Sequence, residues 1–595
     1  MNRLAHRRAA SAHRVAGALA LLLLLPACRP GEPTPLGQVQ AAVPQSWEHR
    51  PLRNVATRAA SGMVVTEDST AAAIGVEVLR QGGNAVDAII ATAFALAVTY
   101  PEAGNIGGGG FLITRLADGT TTALDFRERA PAASTPDMYV DSAGDVTEAA
   151  LLGPLSAGVP GVVAGLFAAH ERHGSLPWEA LLAPAVSIAR SGFAVNDRFH
   201  DVIDGRKDQL GLFDGSRALF LPGGEAPAAG STFRNPDLAR TLERVARDGR
   251  AGFYEGETAA LIVAEMARTG GLITSADLAA YEAAWREPVV FGYRGVEVAS
   301  MPPASSGGLT LALIANILEG YDLAALGWHS PAVLHLTAEA MRRAFVDRNH
   351  YLGDTDFVDV SRAQFESEQY AERVRAMIAD NATWSASIGP GLGDPVVAED
   401  AVEELETVHI GVVDAFGNAA ALSTTVNFLY GSKVTVSGAG FVLNDTMDDF
   451  SAQPGTANAF GLVQGVNNAI APGKRMLSAM TPTIASDSLG VLLVTGARGG
   501  PRIISAAWQI LSNVVDYGLP IDVAVRAPRV HHQHLPDTLS YEVDGLDPRA
   551  LAGLRDRGHD LAGVGGVGSA PSILRVPEGW SAAADPRSGG TALGY

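Results

Sequence analysis

The chain has 595 residues, 47% of them hydrophobic and 18% charged, with a formal net charge of −20 at pH 7. So much apolar residue excludes disorder as the main state and supplies a large core; an acidic balance excludes a nucleic-acid partner, whose phosphates need a basic surface. The single cysteine excludes an intrachain disulfide and any zinc site built from cysteines.

Arg3, Arg7, Arg8 and Arg14 precede an apolar run over residues 15–27. Thirteen residues are too few to span a bilayer, which takes about 20. A basic start with a short apolar core predicts an export signal over residues 1–27. The run closes Leu25-Pro26-Ala27-Cys28, which resembles a bacterial lipoprotein lipobox and makes Cys28 the expected site of lipidation; an ordinary signal peptide beside a chance cysteine is the alternative. Residues 28–55, with prolines at 30, 33, 35, 44 and 51, read as a flexible tether. The expected location is exported, in the periplasm or at the cell surface, anchored to a membrane through Cys28.

Asp68 and Ser69 are expected to cap a helix through Ala71, Ile74, Val78 and Leu79, ended by Gly82-Gly83. Asn84 opens a second helix, apolar almost all round over residues 85–98, hence buried. Gly107 to Gly110 follow, read first as a close backbone approach and second as a phosphate cradle. Strands are expected at 111–116 and 121–126. Residues 153–300 alternate helical and loop patterns, and another apolar helix covers 309–318. Residues 380–406 are polar and acidic and run directly into an apolar hairpin: a strand at 408–413, a turn at 414–418 and a strand at 419–426. Further on, a strand at 491–494, a tight turn at Gly499-Gly500 and a helix at 503–511 place backbone N–H groups where they can hold an anion or oxyanion.

Three motifs carry little. Gly563-Val564-Gly565-Gly566-Val567-Gly568 matches a dinucleotide fingerprint but has no βαβ unit around it. His531, His532 and His534 could hold a metal, but no further ligand stands at suitable spacing, so a structural role is favoured. A G-x-S-x-G nucleophile elbow is absent from the sequence.

The junction Glu406–Thr407 carries more. The segment from Thr407 through Val408, His409 and Asp414, then Gly417-Asn418 and Thr425-Val426-Asn427, resembles the γ-glutamyltransferase family. So do residues 443–451 (Leu-Asn-Asp-Thr-Met-Asp-Asp-Phe-Ser), Gly82 to Ala88, Gly104 to Phe111, Asp125-Phe126-Arg127-Glu128, Met301-Pro302-Pro303 and Asp585-Pro586-Arg587. The resemblance implies an α/β (α+β) fold, the four-layer αββα sandwich of N-terminal-nucleophile hydrolases. It implies a precursor that cuts itself between Glu406 and Thr407 into a large subunit (56–406 after signal and tether) and a small subunit (407–595) forming one catalytic domain. Thr407 is then the nucleophile, Thr425 its hydrogen-bonding partner, and Gly499 and Gly500 the oxyanion hole. Arg127 would hold the substrate α-carboxylate and Asp449 its α-ammonium, with Asn427, Thr446, Ser478 and Ala479 at further substrate positions. No metal and no organic cofactor is implied. The implied partners are γ-glutamyl small molecules such as glutathione.

The sequence departs from the family pattern at four places. Ala479 stands for a second serine, Thr446 for Gln or Glu, and Val408 for Thr or Ser after the nucleophile. Phe460, in a lid expected at 454–474, stands where bacterial relatives often carry tyrosine, and lacks a hydroxyl to latch it. Alternatives to γ-glutamyl transfer are a glutaryl-amide acylase of cephalosporin type and an inactive surface lipoprotein. Asp449 weighs against the acylase, because glutaryl groups have no ammonium to pair with it.

Overall fold

A computed structural model of the chain describes residues 56–393, 407–543 and 545–595. The export signal at 1–27, Cys28, the tether expected at 28–55 (residue 56 onward being described) and Glu406 with the rest of 394–406 lie outside the described residues. All described residues belong to one unit, Leu36–Tyr595. Among them no helix is long and apolar enough to cross a membrane.

Two seven-stranded antiparallel sheets form the centre of this unit. Across the first the order is Thr591–Gly594, Met63–Thr66, Val408–Val413, Ala419–Thr425, Gly109–Arg115, Thr121–Phe126 and Ala284–Arg286. Across the second it is Thr57–Ala59, Gly579–Ala583, Ser572–Val576, Gly490–Thr495, Thr483–Asp487, Val296–Ser300 and Val289–Tyr293. The inner faces meet: Val65, Val413, Ala421 and Ile113 of the first share a core with Ile484, Leu493 and Val298 of the second. Helices Ser69–Arg80 and Ala85–Thr99 cover the outer face of the first sheet, and Gly307–Glu319 and Arg502–Val515 that of the second. The result is the expected order of helix, sheet, sheet and helix.

Burial on both faces explains why Val408–Val413 reads as an unbroken apolar run rather than an alternating one. Val408, Ile410 and Val412 face the helices, while Val413 faces the other sheet. The local signals also hold. Asp68 accepts a hydrogen bond from Ala71 N, and Asn84 closes a capping box with Asp87. Gly82 takes φ +91°, and Gly83 N donates to Val78 O (3.0 Å), ending the first helix. Every residue of Ala85–Thr99 is buried; each large apolar side chain there contributes about 1.5–3 kcal/mol.

One stretch differs from expectation. Residues 153–300 end in the three strands between Ala284 and Ser300 rather than in helix and loop. The hairpin between Val289–Tyr293 and Val296–Ser300 turns on Arg294 (φ +49°) and Gly295 (φ +82°), the positive-φ pair that suits a two-residue hairpin loop. The alternating burial of Val289–Tyr293 is the period-2 signal that marks it.

The glycine run is a close approach. A Cβ on Gly107 would lie 1.9 Å from Val442 O, and one on Gly108 1.9 Å from Thr425 O. Gly108→Ala is therefore expected to destabilise the fold by about 3 kcal/mol or more and to displace Thr425. Gly119→Ala, in open space at φ +90°, should cost about 1 kcal/mol. Urea midpoints of the two variants check the contrast; equal losses would contradict it.

Candidate active site

The first sheet puts Thr407 at the end of a central strand. The register Val408↔Thr424 carries it alongside Thr425, which ends the neighbouring strand. Past Thr425 the chain turns sharply: Thr425 Oγ1 accepts from Asn427 N (2.8 Å), and Asn427 takes φ +83°. Thr407, Thr425 and Asn427 line one buried cleft together with Arg127, Asp449, Ser478, Ala479 and Gly500. Residues from sequence positions 127 to 500 thus converge on one threonine.

Arg127 leaves the end of strand Thr121–Phe126. Its carbonyl accepts from Tyr281 Oη (2.8 Å) and its backbone N–H donates to Asp125 Oδ1 (2.9 Å), which fixes the backbone. Its guanidinium donates to Met476 O (3.3 Å), pairs with Glu128 (3.2 Å) and hydrogen-bonds Asp449. Burial raises the Asp449 carboxyl, and the neighbouring Arg127 charge opposes the rise. Burial pushes the Glu128 carboxyl up to about 7, again against Arg127. Arg127 and Asp449 therefore satisfy one another in the cleft. A ligand with a carboxylate beside an ammonium can replace both halves of that pair at once, leaving neither charge stranded. A ligand with a carboxylate alone would free Arg127 only by stranding Asp449.

The far wall is the segment 478–480. Ser478 O accepts from Ser306 N and Oγ (both 2.7 Å), and Ser478 N donates to Ala304 O (2.9 Å). The Met301-Pro302-Pro303 region with its following serines is thus the bracket that holds this wall. Ser306 Oγ also accepts from Arg348 Nε (3.1 Å). Arg348, fully buried on helix Pro331–Tyr351 and lowered by burial to about 10, lines the cleft beside Asp449 and was missed from sequence.

The turn before helix Arg502–Val515 has Gly499 at φ +128° and Gly500 at φ +52°. Gly500 lines the cleft and Gly499 adjoins it. A Cβ on Gly499 would come 2.9 Å from Gly568 Cα, and Arg498 and Ser569 exchange backbone hydrogen bonds of 2.9 and 3.0 Å. The glycine run at 563–568 therefore buttresses this turn. It leads into strand Ser572–Val576, not into a helix that could hold a dinucleotide.

Not every expected residue is in the cleft. Thr446 does not line it; its hydroxyl donates to Asn444 Oδ1 (2.6 Å). Ala479 lines it without a polar group. Phe460 forms part of its roof, where its ring stacks on Phe428 (centroids 4.9 Å apart, planes 8° apart). Stacking closes the roof, Phe460 having no hydroxyl to serve as a latch. The histidines at 531–534 lie elsewhere. His531 bonds Ser505 and Gln533, His532 bonds Arg342, and His534 bonds Ser385 O; burial pushes His531 down to about 3 and His532 to about 4. Among the described residues one group of three, His335, Glu339 and His559, stands close enough to share a metal. Arg342, Arg343 and Thr383 already occupy both oxygens of Glu339, so a cation there would face two guanidinium groups.

The gamma-glutamyltranspeptidase family model matches residues 71–595. The chain belongs to that family. It is 44% identical over 535 residues to the glutathione hydrolase proenzyme of Escherichia coli strain K12, covering 89% of this chain and 91% of the relative. Among solved structures it resembles a cephalosporin acylase from Bacillus halodurans, with TM-score 0.80, 28% identity and coverage of 93% of this chain and 99% of that one. It also resembles the gamma-glutamyltranspeptidase of Helicobacter pylori, with TM-score 0.55, 41% identity and coverage of 58% of this chain and 98% of that one. The family and its enzyme class, an N-terminal-nucleophile hydrolase with an α+β sandwich, are as the sequence motifs implied. Structural likeness alone does not separate the family from related acylases; the higher identities favour glutathione hydrolases.

Proposed function

We propose that the chain is a self-cleaving γ-glutamyltransferase and glutathione hydrolase. The observation that carries this reading is the Arg127–Asp449 pair in the cleft that Thr407 also lines, because it matches both charges of an α-amino acid. In the precursor the Thr407 hydroxyl attacks the Glu406 carbonyl, the acyl group shifts from nitrogen to oxygen, and water cuts the chain. Cleavage gives a large chain, 28–406 with its tether, and a small chain, 407–595, and creates the base the hydroxyl lacks. The new α-amino group, with a pKa of about 7.7–8.0, can take the hydroxyl proton near neutral pH and return it to the leaving amine.

In the reaction Thr407 Oγ1 attacks the γ-carbonyl, and the backbone N–H groups near Gly499 and Gly500 receive the negative oxygen. The amine of the leaving group departs, and water or an amino acid then takes the γ-glutamyl group. Asn427 and Ser478 border the bound substrate; Ala479 contributes shape only. The basic N-terminus, short apolar run and Cys28 support export and a lipid anchor, released glutathione-like substrates being met outside the cytoplasm.

A comparison of γ-glutamyl and glutaryl anilides tests the reading. We expect a kcat/KM preference of about 100-fold or more for γ-glutamyl, the size of an uncompensated buried charge. A preference for glutaryl would assign the chain to the acylases instead.

A further inference from the structure

A buried acid that takes no part in the steps above lies on the edge of the nucleophile strand. Strand Met63–Thr66 pairs with Val408–Val413 through Met63↔Val413, Val64↔Val412 and Val65↔Gly411. Continuing that register sets Glu67 beside His409. Helix Ser69–Arg80 begins two residues later, so the strand gives out before it reaches Thr407. In place of a backbone carbonyl, Glu67 Oε1 accepts from His409 N (3.2 Å), and Thr66 Oγ1 donates to Glu67 Oε2 (3.1 Å). N–H groups two residues apart in a strand point to the same edge. Thr407 N therefore points to the edge that Glu67 occupies, about 7 Å along the strand from His409 N.

The charged groups around this edge are few and mostly engaged. Burial pushes the Glu67 carboxyl up to about 7, against the Arg498 charge and the His409 N–H. Arg498 immediately precedes the Gly499-Gly500 turn, and its Nη1 donates to Tyr100 Oη (2.7 Å). Arg198 lies over the Tyr100 ring, 3.8 Å from its centroid, and pairs with Glu102. Asp68 is turned away, accepting from Ala71 N (2.9 Å) and Thr99 Oγ1 (2.8 Å). The His409 ring is pushed down to about 3 by burial and stays neutral. On the cleft side of Thr407 stand Arg348 and Arg127, the latter paired with Asp449 and Glu128. Of these acids, Glu67 is the one placed on the strand edge that Thr407 N faces. A buried carboxylate is costly unless cations stand near it; Arg498 is one, and an α-ammonium at Thr407 is a second.

We propose that Glu67 is the counter-charge of the Thr407 α-ammonium, a positioning residue that sets when the amine of the nucleophile is free to act as base. The proposal rests on the self-cleavage reading above, since the amine exists only after the cut. As Thr407 Oγ1 bonds to the γ-carbonyl carbon, its proton passes to the α-amino nitrogen, and the ammonium so formed faces the Glu67 carboxylate. The proton then leaves on the departing amine, and the α-amino group is neutral again. Glu67 touches no reacting atom and acts through the amine alone. An opposite charge about 4–6 Å away favours the charged form of a group, so Glu67 holds the proton on the amine to higher pH, while Arg498, on the other side of the acid, works against it. The uncut precursor has an amide at Thr407 N, which carries no charge, so the same acid should matter little to self-cleavage.

Two readings on Glu67→Gln, which keeps an acceptor for His409 N but no charge, test this. Self-cleavage, followed on denaturing gels, should run within about threefold of the wild-type rate, which also shows that the variant folds. The acid limb of kcat/KM for γ-glutamyl-p-nitroanilide hydrolysis should move down by about one pH unit, so that the share of plateau activity kept at pH 6 rises roughly tenfold. Glu67→Asp should leave the limb within about 0.3 unit of the wild type, the charge being restored. Arg498→Gln, which removes the opposing cation, should move the limb up by about half a unit. Slower cleavage of Glu67→Gln with an unmoved limb would make Glu67 a structural residue only and overturn the proposal, as would a limb that moves the same way in Glu67→Gln and Arg498→Gln. If Glu67→Gln stays uncut, Arg498→Gln decides alone, and an unmoved limb there contradicts the proposal. A wild type that stays uncut would overturn the self-cleavage reading instead.

Discussion

Thr407→Ala is expected to remain one uncut chain and to lose γ-glutamyl hydrolysis by about 10⁴-fold or more. The two effects have one cause. Thr407 lies at the end of the central strand Val408–Val413, where the register puts it beside Thr425 and in the cleft with Gly500. Without its hydroxyl there is no attack on the Glu406 carbonyl, and without that cut there is no free α-amino group to act as base. Thr407→Ser keeps a hydroxyl and should still cut itself, more slowly because serine has lost the methyl that restricts the rotamer. Denaturing gels followed over time, alongside anilide hydrolysis, check both variants. An alanine variant that cuts itself would place the nucleophile elsewhere.

Arg127→Ala should lower kcat/KM for a γ-glutamyl anilide by about 10²–10³-fold, and Arg127→Lys should not rescue it. The guanidinium reaches Met476 O, Glu128 and Asp449 at once from a buried position, a planar fork that an ammonium does not reproduce. Removing it also takes the shared guanidinium from Glu128 and Asp449, leaving Arg348 as the cation beside Asp449. Their protonation then absorbs part of the cost, since burial already holds Glu128 near 7. Asp449→Asn separates the charges in the other direction. It should lower γ-glutamyl kcat/KM about 100-fold while glutaryl anilide, which has no ammonium to lose, falls little or gains. Steady-state kinetics on both anilides measure it; parallel losses would show that Asp449 does not read the ammonium.

Much of the fold was legible because its signals are local. Asp68 and Asn84 cap helices, Gly82 stops one, and the apolar helix after Asn84 is buried on every side. The hairpin Val408–Val413 and Ala419–Thr425 was visible as two apolar runs around Asp414 to Asn418. The strands at 284–300 were harder, because their alternation is short and follows a long helical region. The residues gathered at the cleft were legible through family motifs, not through spacing; nothing local tells that Arg127 and Asp449, far apart in sequence, meet. Arg348 was missed because a charged residue late in a long helix reads as solvated, whereas here the helix is buried along most of its length. Thr446 was assigned by position in a motif, yet its hydroxyl turns to Asn444.

Self-cleavage at Glu406–Thr407 is the claim on which the rest depends, and intact mass under denaturing conditions tests it most directly. Protein produced without residues 1–28 should give two masses, matching residues 29–406 and 407–595. A single mass for 29–595, persisting after long incubation of natively folded protein, would leave Thr407 without its amine and contradict the account.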